Sequence, residues 1–179
     1  MTSSTPATPP AAVRIPAEGR YRLDPARSTV SFTTRHMFGL GKVRGTFALR
    51  EGHVDVADPV EGSSARAVVA ATAFDTGNAT RDTTVRSGQY LDAENHPDIV
   101  FVSTGLTDQD GVWVLRGSLT VRGSSRPVEV HLRRAAAEGE RLRLLASSRI
   151  DRYDFGITAM KGMTGRYLDV VLDLVAERA

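Results

Sequence analysis

The sequence predicts an all-β fold: an extended antiparallel barrel of eight strands, with one or two short helices laid across it as a lid. Three observations predict it. Apolar and polar residues alternate with a period of two from Tyr21 onward. The alternating runs are joined by short polar turns, which is the grammar of tandem hairpins. One polar stretch, DTGNATRDTTVRSGQYLDAENHP, lacks that period and interrupts the series.

The elements follow in order. YRLDP opens the series as a short strand. In STVSFTTRH, Val30, Phe32, Thr34 and His36 share one face while Ser31, Thr33 and Arg35 share the other. GLG is a turn signal, after which Val43, Gly45, Phe47 and Leu49 face one way and Lys42, Arg44 and Thr46 the other. ARAVVAATAF is rich in alanine, yet Val68, Val69 and the FDTG turn that follows favour a strand. In the irregular insert, Asn78 is placed to cap a helix, and Asp82 and Arg86 have the spacing of a helical ion pair. Val85, Tyr90 and Leu91 would dock the insert downward, and Pro97 ends it. DIVFVSTGL is the next strand. Trp113, Leu115, Gly117, Leu119 and Val121 then alternate with polar neighbours. After RGSSRP come Val128, Val130 and Leu132, then a connector, AAAEGE. Leu142, Leu144, Ala146, Ser148 and Ile150 form the next inward face, and Leu168, Val170, Leu172 and Leu174 the last. That is eight or nine strands, near the number at which a sheet closes on itself around one small ligand.

Large inward residues (Phe32, Phe47, Trp113) lie beside small ones (Gly45, Gly117, Ala146, Ser148). In a sandwich the opposing sheet would fill the space left by the small residues. In a single closed sheet that space stays open as an apolar cavity. Both outcomes fit the pattern.

Composition excludes several classes of function. The chain has 179 residues, enough for one domain with a real core, and 23 Lys plus Arg against 21 Asp plus Glu give a net charge of +2. The two signs are interleaved without a basic run or an aromatic–basic ladder, which argues against nucleic acid. The absence of cysteine excludes disulfides, thiolate metal sites and cysteine nucleophiles. His36, His53, His96 and His131 have no metal-ligand spacing, so no metal site is expected. No G-x-S-x-G or phosphate-loop motif occurs. Residues 1–18, rich in Pro, Thr, Ser and Ala, read as a disordered tail before a barrel domain over residues 19–179. With no charged segment leading into an apolar stretch, the tail does not read as a leader, and a cytoplasmic location is expected.

Read together, YRLDPARSTVSFTTRH, KVRGTF, FDTGNATRDTTVRSGQYLDAENHPDIVF, LRGSLTVRGSSRPVEV and RIDRYDFGI resemble the YceI-like family of polyisoprenoid-binding, lipocalin-like barrel proteins. The resemblance runs from Tyr21 to the carboxyl end. It implies a barrel whose interior takes a long isoprenoid chain, such as a polyprenyl diphosphate or a quinone tail. It also implies a non-enzymatic role in lipid transport, storage or stress response, no cofactor beyond the bound lipid, no stable membrane insertion and a homodimer. The sequence departs from the family at Thr84, where a histidine is frequent. The expected ligand-binding wall comprises Phe32, His36, Phe38, Val43, Phe47, Phe74, Phe101, Trp113, Leu115, Leu119, Phe155 and Ile157.

The physics of the strands is compatible with such a ligand. Ten tilted residues at ~3.3 Å each enclose a tunnel on the order of 25 Å long, and each buried CH₂ contributes about 0.8 kcal/mol before ordering costs. His36 either lines the wall near the mouth, donating to a headgroup, or is a barrel-end histidine satisfied by a backbone carbonyl. Arg81 and Arg86 either hold a diphosphate through their guanidinium forks or, with Asp82, pin the insert to the barrel. Arg35, Lys42 and Arg44 read as solvated charges. Phe155 plugs or lines one end, and Met160 and Met163 are adaptable apolar fillers or ordinary core. Two alternatives to lipid carriage remain: an enzyme using His36 with Asp82 or Asp154 as acid and base, and a ligand-free structural dimer with a filled interior.

Overall fold

The computed structural model describes residues 13–179. Its strands are β1 (Gly19–Leu23), β2 (Thr29–His36), β3 (Gly41–Val56), β4 (Ser64–Asp75), β5 (Asp98–Gln109), β6 (Val112–Val121), β7 (Ser124–Glu138), β8 (Arg141–Asp151) and β9 (Tyr167–Arg178), with one α-helix, α1 (Ala79–Arg86), and short 3-10 turns at Val60–Gly62 and Arg152–Phe155. All neighbours are antiparallel, in the order β1-β3-β2-β9-β8-β7-β6-β5-β4, and a further β3–β4 pairing closes the ring.

Nine segments make an eight-stranded barrel because β1 and β2 share one place in it. Both lie between β3 and β9. β2 pairs with the first part of β3 (Phe47 to Gly41) and with Asp169–Asp173, while β1 pairs with the far end of β3 (His53–Val56) and with Ala176–Arg178. The break between them is local. The Asp24 carboxylate accepts from the Ala26 N–H at 3.0 Å and the Asp24 carbonyl accepts from the Arg27 N–H at 3.2 Å, a turn that Pro25 suits.

β-Bulges keep the apolar face pointing inward along the long strands. In β3 the inward residues are odd-numbered through Leu49. A register shift between Leu49 and Glu51 then brings Val54 and Val56 inward. Similar shifts lie between Ser103 and Gly105 in β5 and between Leu132 and Arg134 in β7. The last of these corrects the expected AAAEGE connector. After the bulge Ala135 turns inward and is buried, so β7 runs on to Glu138 and only Gly139 and Glu140 make the turn.

The polar insert forms one helix, followed by turns through residue 97. Asn78 caps it as expected, its side-chain oxygen accepting from the Arg81 N–H at 3.0 Å. The expected Asp82–Arg86 pair is replaced by two separate anchors. Asp82 accepts from the Thr76 N–H at 3.0 Å and the Thr76 hydroxyl at 2.6 Å, and Arg86 donates to the Phe74 carbonyl. Both bonds tie the helix back to the end of β4. Tyr90 and Leu91 are buried beneath the insert and Val85 packs beside them.

The expected tail falls mostly outside the described residues, which begin at Val13. Residues 13–18 lie along the barrel: Val13 bridges Ala135, the Arg14 N–H donates to the Ala135 carbonyl at 2.9 Å, and the Tyr21 hydroxyl donates to the Ala17 carbonyl at 2.7 Å.

Two apolar clusters close the ends. One, under the insert, gathers Phe32, Phe74, Tyr90, Leu91, Phe155 and Ile157. The other holds Tyr21, Leu23, Val30, Leu49, Leu142 and Ala176. The rings of Phe32, Phe47 and Phe74 pack together with centroids 5.4–5.6 Å apart, Phe32 stacked on Phe74 and Phe47 tilted against the first and edge-on to the second. The inward glycines do not leave volume as expected. The Phe32 ring lies over Gly45 and the Phe101 ring over Gly117, each where a Cβ would sit. Aromatic rings laid over strand glycines are a known device for holding such positions.

Candidate functional site

The barrel is hollow between its end clusters. The main cavity measures about 320 Å³, and its wall is built from the inward residues of all the long strands. Its lining includes five polar residues, Ser63, Ser64, Arg66, Ser148 and Arg152, but the surface facing the cavity is apolar. Ser148 spends its hydroxyl on the Glu129 carbonyl at 2.7 Å. A second cavity of about 300 Å³ lies toward the β2–β3 turn and shares Phe47, Leu91, Arg152, Ile157 and Leu168 with the first.

Most of the expected wall is assembled. Phe47, Phe101, Trp113, Leu115, Leu119, Phe155 and Ile157 line the main cavity. Phe32, His36, Val43 and Phe74 line the second, with Arg81 and Thr84 on the same wall. Two expected residues line neither. Phe38 is 79% exposed, because Met37 and Phe38 both take left-handed backbone (φ 48° and 56°) and turn the chain outward once the inward phase of β2 ends at His36. Arg86 is committed to the Phe74 carbonyl, so it anchors the helix and faces no cavity.

Much of the aliphatic wall follows the alternation but lies outside the expected set. Val128, Val130, Leu132, Leu144, Leu172 and Leu174 all line the main cavity.

The residue that sequence reasoning missed is Arg152. It follows β8 in the RIDRYDFGI segment, is 5% exposed and lies at the junction of the two cavities. Its guanidinium donates to the carbonyls of Gly165 (2.8 Å), Ile157 (2.7 Å), Ala159 (2.8 Å) and Thr164 (3.1 Å). The rings of Tyr153 and Tyr90 lie 5.0 Å and 5.9 Å from it. Burial pulls its pKa below the ordinary guanidinium value, though an arginine stays a cation in a protein. The neighbouring Asp151 points elsewhere. It pairs with Arg166 at 2.8 Å, and that bond holds its carboxyl below the usual carboxylate range. Arg152 thus staples the loop over residues 157–165 to the barrel through backbone oxygens alone. An arginine preceding a Tyr-Asp-Phe-Gly turn was the available signal, but sequence cannot show which carbonyls converge on it.

The His36 ring packs over Gly41, its cross-strand partner, where a Cβ would sit. The carboxylates considered as its partners are placed otherwise: Asp82 is held by Thr76, and Asp154 is exposed. Among the described residues no group of three His, Cys, Asp or Glu is placed to hold a metal ion.

Burial tends to raise the Asp82 carboxyl, but the Thr76 bonds, aided by the charges of Arg86 and Arg81, outweigh it and hold the group below its ordinary value of 3.8. A folded value below the unfolded one means this stabilisation is present above the ordinary pKa and is lost as pH falls through the folded value. Stability should therefore fall as pH drops below about 4. Asp82→Asn should cost about 1–3 kcal/mol at neutral pH and flatten that fall. Urea midpoints measured across this range test it, and an unchanged acid slope in the variant would show that Asp82 does not carry the effect.

A model of the YceI-like domain matches residues 21–176. The chain belongs to the YceI-like family. Among its relatives, a UPF0312 protein of Vibrio parahaemolyticus is 27% identical over 156 residues, covering 83% of this chain and 81% of the relative. A UPF0312 protein of Photorhabdus laumondii is 27% identical over 157 residues, covering 83% of this chain and 80% of the relative. Among solved structures, Burkholderia cenocepacia BcnA superposes with a TM-score of 0.74 at 22% identity, covering 86% of this chain and 98% of that one. A polyisoprenoid binding domain from Saccharophagus degradans superposes with a TM-score of 0.68 at 13% identity, covering 91% and 100%. These likenesses establish the barrel as the YceI-like fold. Within this YceI-like barrel, no helix among the described residues is long and apolar enough to cross a membrane.

Proposed function

We propose that this YceI-like protein binds a long-chain isoprenoid lipid inside its barrel and acts as a carrier or store for it, without catalysis. The observation that carries this reading is the paired, apolar-walled cavity, about 320 Å³ with about 300 Å³ adjoining, within the ~300–1,000 Å³ usual for one small ligand. A wall made of strand-borne aliphatic and aromatic side chains selects for an apolar chain by area and shape, at about 0.8 kcal/mol per buried CH₂. The structural neighbour from Saccharophagus degradans, named as a polyisoprenoid binding domain, supports the same ligand class.

The tail occupies the main cavity and the polar head the second, where Arg81 is available. Its Nε donates to the Thr76 hydroxyl at 2.8 Å, which orients the guanidinium and leaves its terminal nitrogens for an anionic head. Native mass spectrometry of the purified protein, followed by organic extraction and lipid identification, tests the proposal. A stoichiometric prenyl lipid is the expected result. An apo mass unchanged after incubation with a polyprenyl phosphate and with a quinone would overturn it.

A further inference from the structure

The tip made by the β2–β3 turn and the loop over residues 158–165 gathers exposed apolar side chains. Among the described residues ten large apolar side chains are exposed, and five belong to this tip: Met37 (45%), Phe38 (79%), Leu40 (87%), Met160 (59%) and Met163 (42%). The two segments form one unit. The Met37 N–H donates to the Met163 carbonyl at 2.8 Å and the Phe38 N–H to the Gly162 carbonyl at 2.6 Å. Met37, Phe38 and Met160 all have left-handed backbone, at φ 48°, 56° and 53°, which is uncommon for bulky residues. The backbone thus holds these side chains outward although a cavity lies directly beneath.

The charges carried by the two segments of the tip have one sign. No acidic residue occurs between Asp24 and Glu51, nor between Asp154 and Asp169. Arg35 stands directly opposite Lys42 across the β2–β3 pair, with Arg44 two residues further along the same exposed face. Like charges facing each other across strands are destabilising, and the ion pairs of this barrel lie elsewhere, as at Arg20–Asp55, Arg50–Asp98 and Arg166–Asp151. Lys161 adds a further cation on the loop, over the Tyr153 ring at 5.2 Å.

We propose that this tip docks reversibly on an anionic lipid surface, Phe38 and Leu40 entering the headgroup region and Arg35, Lys42, Arg44 and Lys161 facing the lipid phosphates. Apolar side chains ringed by cations are the combination that such a surface selects. A second copy of the chain is a poorer occupant, because a self-complementary contact would bring the same cations together. The docked tip stands over the second cavity, since Met163, Thr164, Gly165 and His36 line it. Docking here would set the cavity against the membrane, and that consequence rests on the lipid-binding reading above.

The test is co-sedimentation with vesicles of equimolar phosphatidylcholine and phosphatidylglycerol, and with phosphatidylcholine alone. The vesicles contain no prenyl lipid, so the readout is independent of what the cavity binds. The wild-type protein should bind the anionic vesicles, more weakly at high salt. Phe38→Ser with Leu40→Ser should weaken that binding about tenfold or more. Lys42→Glu with Lys161→Glu should remove its salt dependence, and Val171→Ser, at an exposed apolar position on β9, should change nothing. Tryptophan emission of Phe38→Trp should shift to the blue on the same vesicles, a readout that needs no disruptive variant. Wild-type protein that stays in solution with anionic vesicles overturns the proposal, as does equal binding by the serine variant. A dimer that Phe38→Ser with Leu40→Ser dissociates, without vesicle binding by the wild type, would assign the tip to a second copy instead.

Discussion

Replacing Arg152 with methionine is expected to lower the free energy of unfolding by about 3–5 kcal/mol. The side-chain length is nearly kept, so the loss is not a cavity effect. Four carbonyls, those of Gly165, Ile157, Ala159 and Thr164, lose their donor at once. An unsatisfied buried acceptor costs about 1–3 kcal/mol. Against this, the variant no longer keeps a guanidinium out of water, which returns part of the sum. Arg152→Lys retains the charge but offers one nitrogen in place of a planar fork, so it should recover less than half of the loss. Urea unfolding gives both values, and hydrogen exchange should show residues 157–165 losing protection first. A cost below about 1 kcal/mol for the methionine variant would mean that the loop is held by other contacts. The binding site would be affected as well, since Ile157 and Leu168 wall both cavities next to this staple.

Ala146→Phe should block ligand retention while leaving the empty protein as stable as before, or more so. Ala146 lies mid-strand on β8, opposite Leu132 on β7 and Leu172 on β9, and all three face the main cavity. An added ring enters open space, so the apo protein should change by no more than ~1 kcal/mol. A prenyl chain would meet the ring at the centre of its path, and binding should fall at least about a hundredfold. Thermal melts and titration with a prenyl lipid read the two effects separately. If the apo protein instead loses about 3 kcal/mol, the barrel centre is packed and the filled-interior alternative gains. If stability and binding are both unchanged, the ligand lies elsewhere.

The degree to which the site could be read in advance differs between residues. Alternation alone sets Trp113, Leu115 and Leu119 on one inward face, and they line the main cavity. Phe38 is expected on the cavity wall and faces solvent instead. It lies in the turn, where the period of two no longer governs direction and left-handed backbone decides. Gly45 and Gly117 illustrate a different limit. Each reads from the sequence as small and inward, but whether that leaves a void depends on the ring across from it, Phe32 or Phe101. Arg86 had the spacing to pair with Asp82, yet Thr76 and Phe74 at the end of β4 supplied nearer partners to each.

What the sequence by itself determined is most of the strands, the inward face of those that alternate without a break, the capped helix at Asn78 and the apolar character of the interior. These are local properties. Side chains alternate along an extended chain whatever lies opposite, and a cap needs only its own first turn. Tertiary structure alone decided that β1 and β2 share one place in the barrel, that bulges in β3, β5 and β7 restore the inward phase, that the centre stays hollow, and that four carbonyls of the following loop converge on Arg152. The first three depend on which segments meet when the sheet closes, a relation between residues far apart in the chain, and the last on how the loop over residues 157–165 folds back. A period of two carries no information about either.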